Sequence, residues 1–161
     1  MAVSDGYKYK GEDTLYLVDL GDGLIRPFDQ TSGSTSFDID ELEVSTKDRT
    51  GVDYGDVTET RSFEGEIVEG DPFIDGVKEA IRSKKFIDIY EVNLKTNKSE
   101  KGVHMISSFE LVHDHGEFAT YSLEGKLFGK VESTDLTEIP EGAPDLELGG
   151  VEDEDGGGVE G

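Results

Sequence analysis

Asp71 to Lys84 is the only stretch of this chain with helical periodicity, so the chain must fold as a β structure that carries one helix. Asp71 suits the N-cap, and Pro72 suits the first helical position, where its missing N–H is no loss. At 100° per residue Phe73, Ile74, Val77, Ala80 and Ile81 form one apolar stripe, with Asp75, Glu79, Arg82 and Ser83 opposite. Arg82, Lys84 and Lys85 close the segment, where cations complement the partial negative charge of a helix end. About four turns of helix are marginal alone in water. The stripe of Phe73, Ile74, Val77 and Ile81 is therefore expected to lie on a strand, and the adjacent Phe86–Leu94 run, apolar on much of both faces, is the expected partner.

The remaining periodicity is that of strands. Thr14–Leu20 is a short apolar run, and Leu24 and Ile25 resume after Gly21-Asp22-Gly23. Those glycines begin a GxGxxG-like string, but Arg26 takes the third glycine's place and no helix follows, so a hairpin turn is expected rather than a nucleotide loop. Thr31–Ser34 reads as a loop. Thr35–Val44 then alternates, and its parity slips where Leu42 and Val44 replace Phe37 and Ile39, which predicts a β-bulge near Asp40-Glu41. Residues 45–58 are polar and weakly patterned and read as a long loop. Glu59–Glu69 returns as a strand with Arg61, Phe63, Gly65 and Ile67 on one parity. Gly102–Val112 and Phe118–Val131 form two long strands joined at His113–Gly116, with Val103, Met105, Phe109 and Leu111 sharing a parity on the first and Ala119, Tyr121, Leu123 and Leu127 on the second. Six strands and one helix predict a mainly β fold, an antiparallel β-sandwich or barrel with one flanking α-helix.

The domain is expected to span residues 1–134, with 1–13 as a flexible arm, and residues 135–161 are expected to form an acidic, Gly-rich disordered tail. The chain has 38 Asp and Glu against 15 Lys and Arg, a formal net charge of -23, which argues against binding nucleic acid through phosphate contacts. Ten of those acids lie in residues 135–161, leaving 28 against 15, so the folded part is acidic in its own right. There is no cysteine, which removes disulfides, thiolate metal sites and a Cys nucleophile. The N-terminus has no apolar core suited to a signal peptide, and no membrane association is expected.

No G-x-S-x-G elbow, P-loop or H-E-x-x-H occurs, so neither catalysis nor a cofactor is expected. His104, His113 and His115 are better read as hairpin decoration than as metal ligands. Asp153, Asp155 and Gly156 resemble part of an EF-hand loop, but its first ligand position falls on Val151.

Two phrases carry a family resemblance: Phe37-Asp38-Ile39-Asp40 running into Val44-Ser45-Thr46-Lys47-Asp48, and Gly70-Asp71-Pro72 through Tyr90-Glu91-Val92, supported by Tyr121-Ser122-Leu123-Glu124-Gly125. Over roughly residues 8 to 132 the chain resembles the major tail tube proteins of siphovirus-type phages of Gram-positive bacteria. The resemblance implies a β-sandwich-like barrel with one helix. It also implies self-assembly into hexameric rings, stacked as a tube around a tape-measure protein between tail terminator and distal tail proteins. Such a tube belongs to the virion tail, is put together in the host bacterial cytoplasm, and passes DNA without binding it specifically. Asp38, Asp40, Glu64, Glu66 and Glu124, on polar strand faces, are the expected acidic lining of the lumen, which would repel phosphate at close range. Residues 45–58, with Lys47, Asp48, Arg49, Val52, Tyr54 and Val57, are expected to be mobile in the monomer and to order against an adjacent ring. Two other readings fit the charge: a DNA mimic that binds a basic partner, and a halophile's acid-solvated domain.

Overall fold

The computed structural model describes residues 6–144. The expected disorder of residues 145–161, and the first five residues of the expected arm, lie outside the described residues. One seven-stranded sheet, in the order β2-β1-β5-β6-β7-β4-β3, curls around a single helix. Its strands are β1 (Thr14–Asp19), β2 (Leu24–Ile25), β3 (Gln30–Ser45), β4 (Thr50–Glu66), β5 (Ile87–Asn93), β6 (Lys98–Val112) and β7 (Thr120–Asp135), and α1 (Pro72–Arg82) connects β4 to β5. Every neighbouring pair is antiparallel. The curl brings β1 back toward β3, where the Gln30 side chain takes the place of a strand partner. Its Oε1 accepts from the Tyr16 N–H at 3.1 Å, and its Nε2 donates to the Tyr16 carbonyl at 2.6 Å.

The helix begins where Asp71 predicts. Its Oδ1 accepts from the Phe73 N–H at 3.0 Å while its Oδ2 accepts from the Phe28 N–H at 3.0 Å, so one carboxylate caps the helix and ties down the β2–β3 connection. Phe73, Ile74, Val77 and Ala80 are buried in the concave side of the sheet with Tyr16, Val18, Phe63, Ile87, Ile89, Tyr121 and Leu123. Packing on the β5 strand is thus as expected through Ile87 and Ile89, but the aromatic contacts of Phe73 reach farther, to Phe63, Tyr121 and Phe109 at 5.8, 5.2 and 6.0 Å. Ile81 departs from the expectation: it is 40% exposed, because the stripe drifts off the sheet in the last turn. Gly76 lets α1 approach β1 closely, since a Cβ there would collide with the Leu20 side chain.

The seventh strand is β2, where the apolar run resumes at Leu24 and Ile25, and the longer strands come from segments that read as loops. Thr31–Ser34 is the start of β3, and most of residues 45–58 is β4; only Thr46–Arg49 turns. In β6, Val103 and Met105 are on the outer face while Gly102 and His104 are buried, because register shifts at Lys101/Val103 and Ile106/Ser108 reset the parity before Phe109 and Leu111. The N-terminal arm is anchored from Tyr7 onward: Tyr7 and the Lys10 N–H donate to the Asp13 carboxylate, and Tyr9 donates to the Asp13 carbonyl. The first part of the expected acidic tail is also docked. Leu136 and Ile139 pack on a second cluster of Leu15, Leu17 and Val92, and Arg26 donates to the Pro140 carbonyl at 3.3 Å, so β1 is covered on both faces.

Candidate functional site

In a sheet, paired residues share a face, and the pairing assembles one polar wall from four strands. On β3 and β4, Ser34 faces Ser62, Ser36 faces Thr60 and Asp38 faces Thr58, while Ser32 faces Glu64. On β4 and β7, Ser62 faces Glu124, Glu64 faces Ser122 and Glu66 faces Thr120; β6 adds Ser108 opposite Glu124 and Glu110 opposite Ser122. Asp38, Glu64, Glu66 and Glu124, chosen from parity in three separate strands, therefore stand on one outer face, and Asp40 continues the parity of Asp38 at the bulge, without a paired residue. Between the carboxylates the surface is almost entirely small hydroxyls. Ser34 and Ser62 hydrogen-bond to each other at 3.0 Å and Ser107 donates to Glu124 at 3.1 Å. Such a surface is wet and predominantly negative, although Lys126, opposite Thr60 and Met105, stands on the same face two residues beyond Glu124.

The second feature is the far half of the β3–β4 hairpin. β7 pairs with β4 only from Thr60 to Glu66, so the ribbon formed by residues 37–59 projects past the body with both edges open. Its turn is tight: the Thr46 N–H donates to the Arg49 carbonyl at 2.8 Å, and Thr46 Oγ1 accepts from the Asp48 and Arg49 N–H groups at 3.3 and 3.1 Å. Lys47, Asp48 and Arg49 thus form the tip. The mobile loop expected over residues 45–58 is instead a hydrogen-bonded ladder already complete in one chain. The bulge is where parity placed it, but its extra residue is on the partner strand. β3 takes two steps from Ile39 to Glu41 while β4 takes three from Val57 to Tyr54, and Gly55 packs against Asp40.

That geometry puts five apolar residues of the ribbon together, while Leu42 and Val44, whose parity the β4 bulge leaves unchanged, stay on the face of Asp38. Phe37 and Ile39 share a face with Val57, Tyr54 and Val52 through the pairs Phe37–Glu59, Ile39–Val57, Glu41–Tyr54 and Glu43–Val52. This is the parity that carries Arg61 and Phe63 into the core, continued outward where the body supplies nothing to cover it. All five apolar side chains are more than half exposed, Tyr54 to 69%.

At the ribbon's root lies a charge cluster that sequence reading missed. The Arg61 guanidinium is fully buried and reaches Glu59 at 2.7 Å, Glu91 on β5 at 3.0 Å and Glu100 on β6 at 3.1 Å. Its Nη1 also lies 3.4 Å from His104 Nε2, and His104 Nδ1 donates to the Gly102 carbonyl at 2.8 Å, which makes Nε2 the acceptor. Thr35 donates to Glu91 and shares a hydrogen bond with the Tyr16 hydroxyl, so the network spans β1, β3, β4, β5 and β6. Burial, aided by the neighbouring guanidinium and opposed by the bond to Gly102, drives the His104 pKa down to about 4, leaving the ring neutral. The signal available was a lone Arg on the inward parity of β4; Glu59 is two residues away, but Glu91 and Glu100 are 30 and 39 residues on. His104 is thus a core residue, apart from His113 and His115, which are exposed at the β6–β7 turn. No group of three or more metal-ligating side chains occurs among the described residues, and none of their helices is long and apolar enough to cross a membrane.

A model of a family described as phage tail tube protein matches residues 8–133. No curated protein matches the chain significantly. Among solved structures, the tail of an empty gene transfer agent particle, refined with helical six-fold symmetry, superposes with a TM-score of 0.68 at 16% identity, covering 79% of this chain and 99% of that one. The SPP1 tail tube superposes with a TM-score of 0.68 at 18% identity, covering 94% and 99%. The tube-terminating cap of the anti-feeding prophage gives a TM-score of 0.56 at 16% identity, covering 84% and 97%. At these identities the superpositions establish a shared fold.

Proposed function

Since the chain belongs to the phage tail tube protein family, we propose that its copies close into hexameric rings and stack, the ribbon joining copy to copy and the acid-and-hydroxyl wall facing the lumen. The observation that carries this reading is the ribbon: a core-parity stripe of Phe37, Ile39, Val52, Tyr54 and Val57 that runs out of the body uncovered. An apolar stripe between two open strand edges is an aggregation liability in a monomer and an interface in a closed assembly of identical copies.

The wall suits a conduit. DNA crossing a tube must not be held along the way, and a lining in which Asp38, Asp40, Glu64, Glu66 and Glu124 outnumber Lys126 among serines and threonines repels phosphate within about 10 Å at ordinary ionic strength. The chain is accordingly a structural component of the virion tail and not an enzyme. A tape-measure protein inside the tube, terminator and distal tail proteins at its ends, assembly in the host cytoplasm and a Gram-positive host complete the reading; the six-fold gene transfer agent tail and the anti-feeding prophage cap support its symmetry and its capped end.

Two variants test the two surfaces. Changing Val52, Tyr54 and Val57 together to Ser should leave a folded chain that sediments as a monomer and shows no tubes in negative stain, whereas the wild type should polymerise on concentration. Changing Asp38, Glu64 and Glu124 together to Lys should leave tubes intact and slow DNA ejection; normal ejection would remove these residues from the lumen.

A further inference from the structure

A second apolar patch lies on the same outer face of the sheet, continuing it beyond Lys126 and well away from the ribbon in sequence. The pairs Asp88–Val103, Val103–Phe128 and Met105–Lys126 set Val103, Met105 and Phe128 side by side, and Phe86, just before β5, stacks edge-on against Phe128 with ring centroids 5.3 Å apart. Phe86 and Phe128 are 48% and 66% exposed, and Val103 and Met105 are exposed as well. The rim of this patch is basic. Lys84 and Lys85 directly precede Phe86, Lys101 shares the face two residues before Val103, Lys126 pairs with Met105, and Lys130 follows Phe128 by two. Five of the 15 basic residues of an acidic chain thus lie on or next to one apolar patch, against three acids: Asp88, Asp19 opposite Asp88, and Glu132 opposite Lys101.

The ribbon stripe has the opposite rim. Glu41 and Glu43 share the face of Phe37, Ile39, Val52, Tyr54 and Val57. Within one chain neither surface covers the other, as the exposure of both records. We infer that the patch of Phe86, Val103, Met105 and Phe128 is the seat for the ribbon of a second copy, with Glu41 and Glu43 of the incoming ribbon against its lysine rim. This inference rests on the tube reading and names the surface that receives the ribbon. The contact is heterologous, because each copy gives its ribbon and accepts another on a different surface, so repetition yields closed rings or a helical stack rather than a two-fold dimer. Apolar anchors supply most of the affinity, and the charges set register and reject wrong partners.

The absence of cysteine permits a direct test. In the assembled Tyr54→Cys/Phe128→Cys double variant, a short bis-maleimide should produce a ladder of covalent oligomers, while each single variant stays monomeric on a denaturing gel. Dimers from Phe128→Cys alone would mean that patch meets patch and would overturn the pairing. A charge exchange gives a second readout. Lys84→Glu/Lys85→Glu/Lys126→Glu should raise the concentration needed for assembly about tenfold or more, the effect of losing one good interface contact. Adding Glu41→Lys/Glu43→Lys to the same chain should restore assembly. Tubes of normal yield from the lysine variant, without a cysteine ladder, would refute this pairing and leave the tube reading standing. A wild-type chain that forms no tubes at any concentration would refute both.

Discussion

Replacing Arg61 by Met measures how much the buried charge cluster holds the sheet together. Met fills most of the space of the Arg stem, so the main loss is electrostatic. The three carboxylates left behind differ in their access to water: Glu59 is 14% exposed, Glu91 29% and Glu100 55%. Glu100 returns to solvent at little cost, as an ordinary surface pair does, and contributes under about 1 kcal/mol. Glu59 and Glu91 remain in a half-closed site without their cation, Glu91 with only the Thr35 hydroxyl as compensation, and the Nε2 of buried His104 loses its donor. Breaking a buried pair in this way costs about 3–5 kcal/mol. For a folded body of this size that is a fall in Tm of roughly 10–15 °C. Chemical denaturation of a chain kept monomeric by the ribbon serines reads the loss free of assembly, and Glu100→Gln is the internal control at under about 1 kcal/mol. A loss below about 1 kcal/mol for Arg61→Met would show that the carboxylates rehydrate freely and that the cluster does not clamp the ribbon's root. The same measurement by hydrogen exchange should show faster opening of residues 37–59 in the variant, since Arg61 anchors the strand they extend.

Further outcomes are expected from the core and from pH. Phe73→Ala should cost about 3–5 kcal/mol, because it empties the aromatic contacts with Phe63, Tyr121 and Phe109, while Ile81→Ala, at a position 40% exposed, should cost under about 1 kcal/mol; similar values for the two in urea titrations would contradict the drift of the stripe. His104 has a folded pKa of about 4 against an ordinary 6.5, so between those values the unfolded chain binds more protons and stability falls as the pH is lowered. The loss across that window is up to about 3 kcal/mol, and His104→Gln should abolish that part of the pH dependence. A difference curve between variant and wild type that is flat from pH 7 to about 4 would show that the ring titrates freely.

Much of this protein is legible in its sequence because the signals are local. Asp71-Pro72 starts the helix through its own side chain and ring, and Gly21 and Gly23 mark a turn because each takes a positive φ, 115° and 119°. Strict alternation assigned Asp38, Glu64 and Glu124 to outward parities, and the pairing then placed those parities on one wall. The bulge near Asp40 was legible as a slip of parity, though not which strand carries the extra residue, because that depends on the partner. What local signals could not decide was everything settled by a neighbour distant in the chain. Residues 50–58 lack a clear pattern because Gly51, Gly55 and the bulge interrupt it, yet their backbone groups pair with β3 and form a ribbon. Val103 and Met105 point outward because bulges opposite β7 reset β6, and Leu136 and Ile139 are docked because β1 has a second apolar face to cover. Arg61 looks from sequence like a charge on the wrong side of a strand. Only the curl of the sheet, which draws Glu91 and Glu100 to it from β5 and β6, supplies the opposite charges that make its burial tolerable.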